Sequence, residues 1–268
     1  MIATDLLSVE GIRRGLQAAT VGRQLYLFGE VESTNVALRR LAREGAVEGT
    51  AVLAEAQRAG RGRLGRQWFS PSGVNLYASV LFRPRFAPRQ APCFSFIASL
   101  AAADAVKELG PSPAIKWPND VLVERKKVAG SLVECVTRGD EIECLILGVG
   151  INVNVPLPVL RAALGPAGAN ATSLAAVLGR EVDRNALAAS YLTHLDAWAR
   201  RHQAEGAEPI VAAWRERDIL TGRRVEIRGE GEHFEGRAVG VDGDGHLLVD
   251  DPHGRRHLVL TEEVRILE

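Results

Sequence analysis

Apolar and polar residues follow extended and helical periods in turn through the first four-fifths of the chain. Short runs rich in Val, Ile and Leu predict strands, and apolar residues three and four positions apart predict helices. The predicted strands are residues 25–29, 50–56, 74–82, 121–123, 128–136 and 142–149. The predicted helices are residues 9–19, 36–43, 92–109, 185–202 and 208–217. This order predicts one large domain that combines helices with a sheet.

The pattern changes at about residue 219. Four short alternating runs follow, at residues 223–228, 235–241, 246–250 and 256–260, separated by turns rich in Gly and Asp. Several short strands at this spacing are typical of a small all-β barrel. We therefore predict two domains, a mixed domain over residues 1–218 and a β domain over residues 219–268.

Composition narrows the class of protein. The 268 residues carry 33 basic and 33 acidic side chains, and this zero formal charge excludes binding of nucleic acid by bulk electrostatics. Cys93, Cys135 and Cys144 have no metal-ligand spacing and cannot all pair, which favours a reducing compartment. The first 20 residues lack a signal-peptide pattern, and the chain has no uncharged apolar run long enough to cross a membrane. We expect a cytoplasmic protein without membrane contact.

The most unusual segment is residues 57–68, which contains four arginines, three glycines and no acidic residue. Glycine lets a backbone approach a ligand closely, and guanidinium groups bind phosphate or carboxylate through paired hydrogen bonds. Gly60 to Gly65 has the spacing G-x-G-x-x-G, but no helical sequence follows, which excludes a dinucleotide fingerprint. The segment predicts an anion-binding loop, with a solvated basic loop or an Arg-Gly patch for nucleic acid as the alternatives.

Three of the four lysines, Lys116, Lys126 and Lys127, fall within a dozen residues of a chain that otherwise uses arginine. An ammonium group is a compact charge for a carboxylate or phosphate oxygen. Between these lysines, Asn119 and Asp120 offer oxygen ligands for Mg²⁺ that accompanies phosphates. A β-hairpin with a charged turn is the alternative interpretation.

Two further segments carry uncharged polar groups. At residues 148–154 a strand ends in glycines and amides, among them Asn152, whose amide can pair with a purine edge; a strand end with turn residues is the alternative. Ser33, Thr34 and Asn35 precede a predicted helix and equally suit its N-cap. Four histidines near the C-terminus are interpreted as surface residues rather than as zinc ligands.

Together these segments strongly resemble the biotin protein ligases. Residues 32–35, 57–77, 116–130 and 148–154 occur in the order and spacing of that family, and the resemblance covers about residues 25–268. It implies an α+β catalytic domain similar to class II aminoacyl-tRNA synthetases, followed by a small SH3-like C-terminal β barrel. It also implies a ligase that makes biotinyl-5′-adenylate and diphosphate from biotin and Mg·ATP, and then transfers biotin to a lysine of a biotin carboxyl carrier domain.

The resemblance also implies roles for individual residues. The residues expected at the biotin site are Ser33, Thr34, Asn35, Gln57, Gly60, Arg61, Gly62, Arg63, Lys127 and Gly130. Those expected at ATP and the adenylate are Arg63, Arg66, Trp68, Asn119, Lys127 and Asn152. The expected catalytic residues are Lys127, Arg63 and Asp120, and Asp120 is also the candidate ligand for Mg²⁺.

The resemblance leaves partners and competing functions open. Some biotin ligases carry an N-terminal helix-turn-helix domain, but only one predicted helix precedes Ser33, so we expect no DNA binding and no repressor activity. A homodimer is an open alternative. The competing functions are a lipoate ligase, a biotin sensor without transfer activity, and an Arg-Gly RNA-binding protein. The acidic balance of the predicted β domain, 11 Asp and Glu against 7 Arg from residue 223 onward, argues against RNA.

Overall fold

The computed structural model describes residues 6–84, 92–138, 141–229, 233–260 and 262–267. Within these ranges the strands form a seven-stranded and a five-stranded sheet. The strands of the first sheet are β1 (Leu25–Val31), β2 (Ala51–Gln57), β3 (Leu76–Phe82), β4 (Ala114–Lys116), β5 (Asp120–Val123), β6 (Lys126–Arg138) and β7 (Glu141–Ile151). Those of the second sheet are β8 (Arg224–Arg228), β9 (His233–Val241), β10 (Leu247–Asp250), β11 (Arg256–Val259) and β12 (Glu263–Ile266).

The first sheet has the order β1-β2-β3-β7-β6-β5-β4. Strands β1 and β2 pair in parallel, and every other neighbouring pair is antiparallel. Alternate residues of a strand point to opposite faces of the sheet. In β7, Leu145 and Leu147 join the larger hydrophobic core, whereas Cys144 and Ile146 form a smaller core with Leu38. The sheet is therefore covered on both faces, which explains the continuous apolar runs of its central strands.

Seven α-helices cover the sheets in the described ranges. They are α1 (Val9–Gly15), α2 (Thr34–Arg43), α3 (Pro92–Glu108), α4 (Leu157–Leu164), α5 (Leu174–Leu178), α6 (Arg184–Glu205) and α7 (Glu208–Arg215). Helix α2 carries the smaller core, because its residue Leu38 is fully buried there. Helices α3 and α6 pack against each other within the larger core.

The mixed fold predicted from the sequence is confirmed, and the differences concern element ends and short elements. Helix α2 begins at Thr34, and Ser33 at its N-cap makes no side-chain capping hydrogen bond, so the predicted capping role is wrong for that side chain. Helix α1 is shorter than predicted because its chain turns into an extended conformation at Leu16. The elements that the sequence pattern missed are β4, β12, α4 and α5, which have three to eight residues and are too short to show a clear period.

The second sheet has the order β11-β10-β9-β8-β12 and is antiparallel throughout, as predicted for a small β domain. It is attached next to β4 of the first sheet. The amide of Ile115 donates to the carbonyl of Arg217 at 2.8 Å, and the Trp117 indole donates to the carbonyl of Gly245 at 2.9 Å. The second contact joins the turn between β9 and β10 to the residue that follows β4. The division between residues 218 and 219 stays a prediction.

The three cysteines have free thiols in the structure. No α-helix of the described ranges is both long and apolar enough to cross a lipid bilayer.

Candidate active site

A row of cross-strand partners runs over one face of the first sheet. Lys116 of β4 pairs with Asp120 of β5, Asp120 with Gly130 of β6, and Gly130 with Gly150 of β7. Directly opposed residues in antiparallel strands point to the same face of the sheet. The charged side chains of Lys116 and Asp120 therefore lie beside two glycines, which leave a gap without side chains. The Trp68 ring lies over this gap, because a Cβ added at Gly150 would overlap its indole.

A cavity of about 740 Å³ opens over this row. Its floor is the sheet, its near side is the loop of residues 60–68, which we call the arginine loop, and its far side includes β12 of the second sheet. The volume suits a ligand of drug or nucleotide size.

One side of the cavity is lined by the neutral polar groups of Thr34, Asn35 and Gln57, and Ser79 is buried behind them. We call these four residues the neutral wall. Gln57 ends strand β2, and its Oε1 accepts from the Thr34 amide at 2.9 Å while its Nε2 donates to Ser70 Oγ at 2.9 Å. The Ser79 hydroxyl lies 2.7 Å from Thr34 Oγ1 and 2.6 Å from Asn35 Oδ1. The wall is therefore held by hydrogen bonds within the protein. The side chains of Thr34, Asn35 and Ser79 are almost entirely buried.

Asn35 reaches the wall because the facing residue of β7 is Gly148. A Cβ at that position would overlap Asn35 Oδ1. On its other side Asn35 donates from Nδ2 to Glu134 at 2.8 Å, and Glu134 pairs with Arg39 at 2.9 Å. The amide orientation is thus fixed by a charged pair outside the cavity, and the polar face of the wall carries no charge of its own.

The arginine loop is a short hairpin. The Trp68 amide donates to the Gly60 carbonyl at 2.9 Å, and the Gly62 amide donates to the Arg66 carbonyl at 2.7 Å. Leu64 lies at the tip with a φ of 55°, in the left-handed region, and its side chain is exposed. A strand-like loop in this place confirms that the G-x-G-x-x-G spacing does not introduce a dinucleotide-binding helix.

Cationic side chains outnumber carboxylates around the cavity. The cations are Arg61, Arg63, Arg66, Lys116, Arg125, Lys127 and Arg265, and the carboxylates are Asp120, Glu262 and Glu263. Lys127 Nζ lies 2.6 Å from Asp120 Oδ1, and Arg66 pairs with Glu263. An excess of four positive charges makes the cavity attractive to a polyanion.

Two of these cations, Lys127 and Arg63, each lie over an indole ring. Lys127 Nζ is 5.3 Å from the Trp68 ring centroid, and Arg63 Cζ is 5.5 Å from that of Trp117. Burial lowers the pKa of Arg63 from its ordinary value, against the opposing attraction of nearby carboxylates such as Asp120. Trp68 Nε1 is buried and has no hydrogen-bond partner among the residues that the structure describes.

Two predicted amides are already engaged by the backbone. Asn152 donates from Nδ2 to the Thr172 carbonyl at 3.1 Å, and Asn119 donates from Nδ2 to the Ser131 carbonyl. An amide oxygen remains the group that each could offer to a ligand. Both side chains line the cavity.

Comparison with known proteins agrees with this site. The sequence model of the Biotin/lipoate A/B protein ligase family matches residues 28–152, and that of the Biotin protein ligase C terminal domain matches residues 220–260. The bifunctional ligase/repressor BirA of Bacillus subtilis is 32% identical over 249 residues, which cover 92% of this chain and 76% of BirA. The chain belongs to the biotin protein ligase family. The biotin--[acetyl-CoA-carboxylase] ligase of Mycobacterium tuberculosis is 36% identical over 237 residues, 85% of this chain and 84% of that protein.

Solved biotin protein ligases have the same fold. The enzyme of Aquifex aeolicus in complex with biotin and ATP superposes with a TM-score of 0.76 at 29% identity, covering 91% of this chain and 99% of that one. The ligase assignment made from the sequence is confirmed by these matches.

Of the fifteen residues that the sequence places at the biotin protein ligase site, fourteen line the cavity. Gly60 is the exception, since it packs beneath the loop, where an added Cβ would lie 2.6 Å from Ser70 Oγ. Which ligand atom each residue contacts stays a prediction.

Sequence reasoning missed part of the lining. Lys116 was seen as part of a motif but was given no role, and Glu262 and Glu263 lie at a strand that was not predicted. The alternation of Glu263, Val264, Arg265 and Ile266 was the available signal for that strand.

The metal and histidine interpretations can be compared with the structure. Within the described ranges no three His, Cys, Asp or Glu side chains are grouped to hold a metal ion. Three of the C-terminal histidines, His233, His246 and His257, lie within 3.0 Å of carboxylates in the second sheet. Of these three side chains His233 is exposed, whereas His246 and His257 are 20% and 21% exposed, so the interpretation as surface residues fits His233 alone among them.

Proposed function

We propose that this protein activates biotin with Mg·ATP, releasing diphosphate, and then transfers biotin from the adenylate to a lysine of a biotin carboxyl carrier domain. The observation that carries the proposal is the joining of the neutral wall and the cation cluster in one cavity. Biotin has a neutral ureido ring at one end and a carboxylate at the other, so its two ends require these two different surroundings. The wall offers amide and hydroxyl groups that match the ureido donors and acceptor.

In the first step the biotin carboxylate attacks the α-phosphorus of ATP. Two anionic groups must approach each other, and the repulsion between them is the main electrostatic barrier. Lys127 and Arg63 face the cavity beside Trp68 and Trp117, where they would contact the carboxylate and the α-phosphate together. Cations already in place stabilise the charge that develops in the transition state without further reorganisation.

The nucleotide is assigned to the side of the cavity next to Trp68. Its buried indole would pack against the adenine, and the Asn152 amide oxygen would accept a hydrogen bond from the base. Arg66 would contact the outgoing phosphates in exchange for Glu263. Asn119, next to Asp120, completes this side.

The arginine loop protects the intermediate. A mixed anhydride of a carboxylate and a phosphate hydrolyses readily in water, so the site must exclude solvent once it forms. The loop lies over the cavity, and Arg61 and Gly62 line it from above. Contacts of these residues with the adenylate would hold the loop closed until the carrier domain arrives.

In the second step the amine of the acceptor lysine attacks the carbonyl carbon of the anhydride, AMP leaves, and the nitrogen loses a proton. Asp120 lies 2.6 Å from Lys127 at the cavity floor and is the carboxylate we assign to orienting the amine.

The role of Asp120 can be tested in the second step alone. Asp120→Ala should slow transfer from preformed biotinyl-5′-adenylate, measured by quench flow with a carrier domain. Transfer at the normal rate would contradict this role.

Mg²⁺ would enter the site with ATP. Because the described residues form no cluster of three metal-binding side chains, the phosphates would supply most of its ligands, with Asp120 as the one carboxylate we assign to it. The ion neutralises phosphate charge when it is bound. The donor set of this cavity fits a magnesium nucleotide better than a resident metal.

The test of the proposed function is intact mass spectrometry of a biotin carboxyl carrier domain incubated with the protein, Mg·ATP, and equal biotin and lipoate. A biotinyl adduct that requires ATP is expected. A lipoyl adduct would transfer the assignment to the lipoate branch of the family. If neither adduct forms although biotin binds, the sensor alternative is favoured.

The predictions about assembly and DNA also stay open to test. Sedimentation with and without biotin and ATP would detect a homodimer. Operator binding that depends on biotin would contradict the expected absence of repressor activity.

A further inference from the structure

Lys116 has no role in the reaction described above, although it faces the cavity. It ends strand β4 and lies directly across from Asp120 in the antiparallel pair with β5. Its side chain lines the same cavity as Lys127 and Arg66. The position is therefore inside the reaction site and at its far side, next to the second sheet.

Lys116 is not paired with a carboxylate in the part of the chain that the structure describes. Its ammonium makes no hydrogen bond and no ion pair there, and Asp120 and Glu263 attract it only at longer range. The nearby carboxylates are engaged elsewhere, since Asp120 pairs with Lys127 at 2.6 Å and Glu263 pairs with Arg66. Burial lowers the pKa of Lys116 from its ordinary value, with the attraction of Asp120 opposing this. A half-buried ammonium without a paired carboxylate is stabilised by an anion that enters the cavity.

The neighbours of Lys116 indicate which anion this is. Its cross-strand partner Asp120 pairs with Lys127, which is assigned to the α-phosphate. Lys116 also lines the same cavity as Arg66, which is assigned to the outgoing phosphates. The phosphate between these two is the β-phosphate of ATP.

We propose that Lys116 is a catalytic residue of the first step only, whose ammonium contacts the β-phosphate and stabilises the charge of the leaving diphosphate. This inference rests on the proposed function. As the biotin carboxylate forms its bond to the α-phosphorus, the bond from that phosphorus to the bridging oxygen breaks and its electron pair leaves with diphosphate. No proton is transferred, so a cation at the β-phosphate is the assistance that this step requires. After diphosphate has left, Lys116 has no anion to stabilise in the transfer step.

The experiment measures the two steps separately. Lys116→Met keeps the length of the side chain and removes its charge, Lys116→Arg keeps the charge, and Lys107→Met removes an exposed lysine on α3 as the matched control. The first step is followed as diphosphate release from biotin and Mg·ATP without carrier. The second is followed as transfer from preformed biotinyl-5′-adenylate to the carrier domain.

We expect Lys116→Met to slow diphosphate release on the order of 10²-fold while transfer stays within about two-fold of normal. Lys116→Arg should restore part of the rate, and Lys107→Met should behave as the unmodified protein. Inhibition by added diphosphate should require about ten-fold more diphosphate in Lys116→Met than in the unmodified protein, a difference of about 1.4 kcal/mol.

Other outcomes would overturn the inference. An equal loss in both steps would show that Lys116 supports the structure of the site, and an unchanged first step would show that it does not act there. If Lys116→Met does not fold, Lys116→Gln removes the same charge, and normal sensitivity of that variant to diphosphate together with an unchanged first step would contradict the inference. Failure of the unmodified protein to form any adenylate would instead reject the proposed function itself.

Discussion

The neutral wall and the arginine loop face the same cavity but are built in opposite ways. Thr34 and Asn35 in the wall are almost fully buried and are fixed by hydrogen bonds within the protein. Arg61 and Arg66 in the loop are exposed and pair with the exposed carboxylates of Glu32 and Glu263. Buried hydrogen bonds resist exchange because an unpaired partner is costly, whereas exposed ion pairs contribute about 0–1 kcal/mol each.

This difference corresponds to the two kinds of recognition that the reaction needs. A neutral group that stays bound through both steps is best held by donors and acceptors that do not move. Phosphates enter with ATP and leave as diphosphate, so their partners must release them, and side chains with weak alternative carboxylate partners can do so. Substitutions in these two regions, or in the cavity floor between them, should therefore affect the two substrates differently.

Lys127→Ala should have the largest effect. It removes a cation that lies at the centre of the cavity, paired with Asp120 and stacked over Trp68. Loss of one preorganised charge of this kind typically slows catalysis by about 10²–10³-fold, so diphosphate release with biotin and Mg·ATP should fall by that amount. Lys107→Met is the matched control. Retention of more than about a tenth of the normal rate would place the main charge stabilisation on the arginine loop instead.

Gly150→Ala tests the floor that connects the two regions. Its Cβ would overlap the Trp68 indole, so the ring must move, and with it the end of the arginine loop. Misplacing a binding group by about 1 Å can cost on the order of 10²-fold, and overpacking costs about 1–3 kcal/mol of stability. The measurement is the KM for ATP together with thermal unfolding. Gly243→Ala is the control, because an added Cβ there has nothing within 4 Å; equal KM values in the two variants would contradict the placement of Trp68.

The sequence predicted which chemical groups line the site better than it predicted the strands and contacts that bring them together. The segment of residues 57–68 was recognised because four arginines among glycines is a rare composition, and three of these arginines lie in the arginine loop. Thr34, Asn35 and Gln57 of the wall were expected at the biotin site only through resemblance, since Ser33, Thr34 and Asn35 suit a helix N-cap equally well, and Ser79 was not predicted. In the structure Ser33 is the N-cap residue without a side-chain bond, and Thr34 and Asn35 face the cavity.

Long-range pairing explains what the sequence did not predict. The gap that holds Trp68 depends on Gly130 and Gly150 being opposite each other in β6 and β7, 20 residues apart in the chain. Glu263 reaches the cavity because β12 pairs with β8. The register of β6 and β7 shifts by one residue between Val136 and Thr137, and the hydrophobic pattern does not reveal such a shift.

Gln57→Leu tests the neutral wall alone. The change removes the acceptor of the Thr34 amide and the donor to Ser70, and leaves these buried groups unpaired. Each lost partner of this kind costs about 1–3 kcal/mol, so biotin should bind on the order of 10-fold more weakly while the KM for ATP stays near normal. Titration calorimetry with biotin measures this, with the exposed Gln203→Leu on α6 as control. A loss of ATP affinity equal to the loss of biotin affinity would show that the wall does not discriminate between the two substrates.

Glu263→Gln should have the smallest effect and tests whether the ion pairs of the arginine loop exchange easily. The pair with Arg66 is 61% and 43% exposed, so its removal should change the free energy of unfolding at pH 7 by less than about 1 kcal/mol. The hydrogen bond from Arg66 lowers the pKa of Glu263 from its ordinary 4.5. A carboxyl group whose pKa is lowered in the folded protein contributes stability at pH values above its ordinary pKa, and this contribution is lost as the pH falls through the lowered pKa. The small contribution of Glu263 should therefore disappear below about pH 4.5 and be absent in the variant.

The same variant should also change the binding of ATP. Because Arg66 is then free for phosphate, the KM for ATP should fall by about two-fold, a change of about 0.4 kcal/mol. Glu235→Gln, which breaks a similarly exposed pair with Arg224 in the second sheet, should leave that KM unchanged. A higher KM for ATP in Glu263→Gln would mean that the carboxylate helps to bind the nucleotide, and the loop would then share the fixed character of the wall.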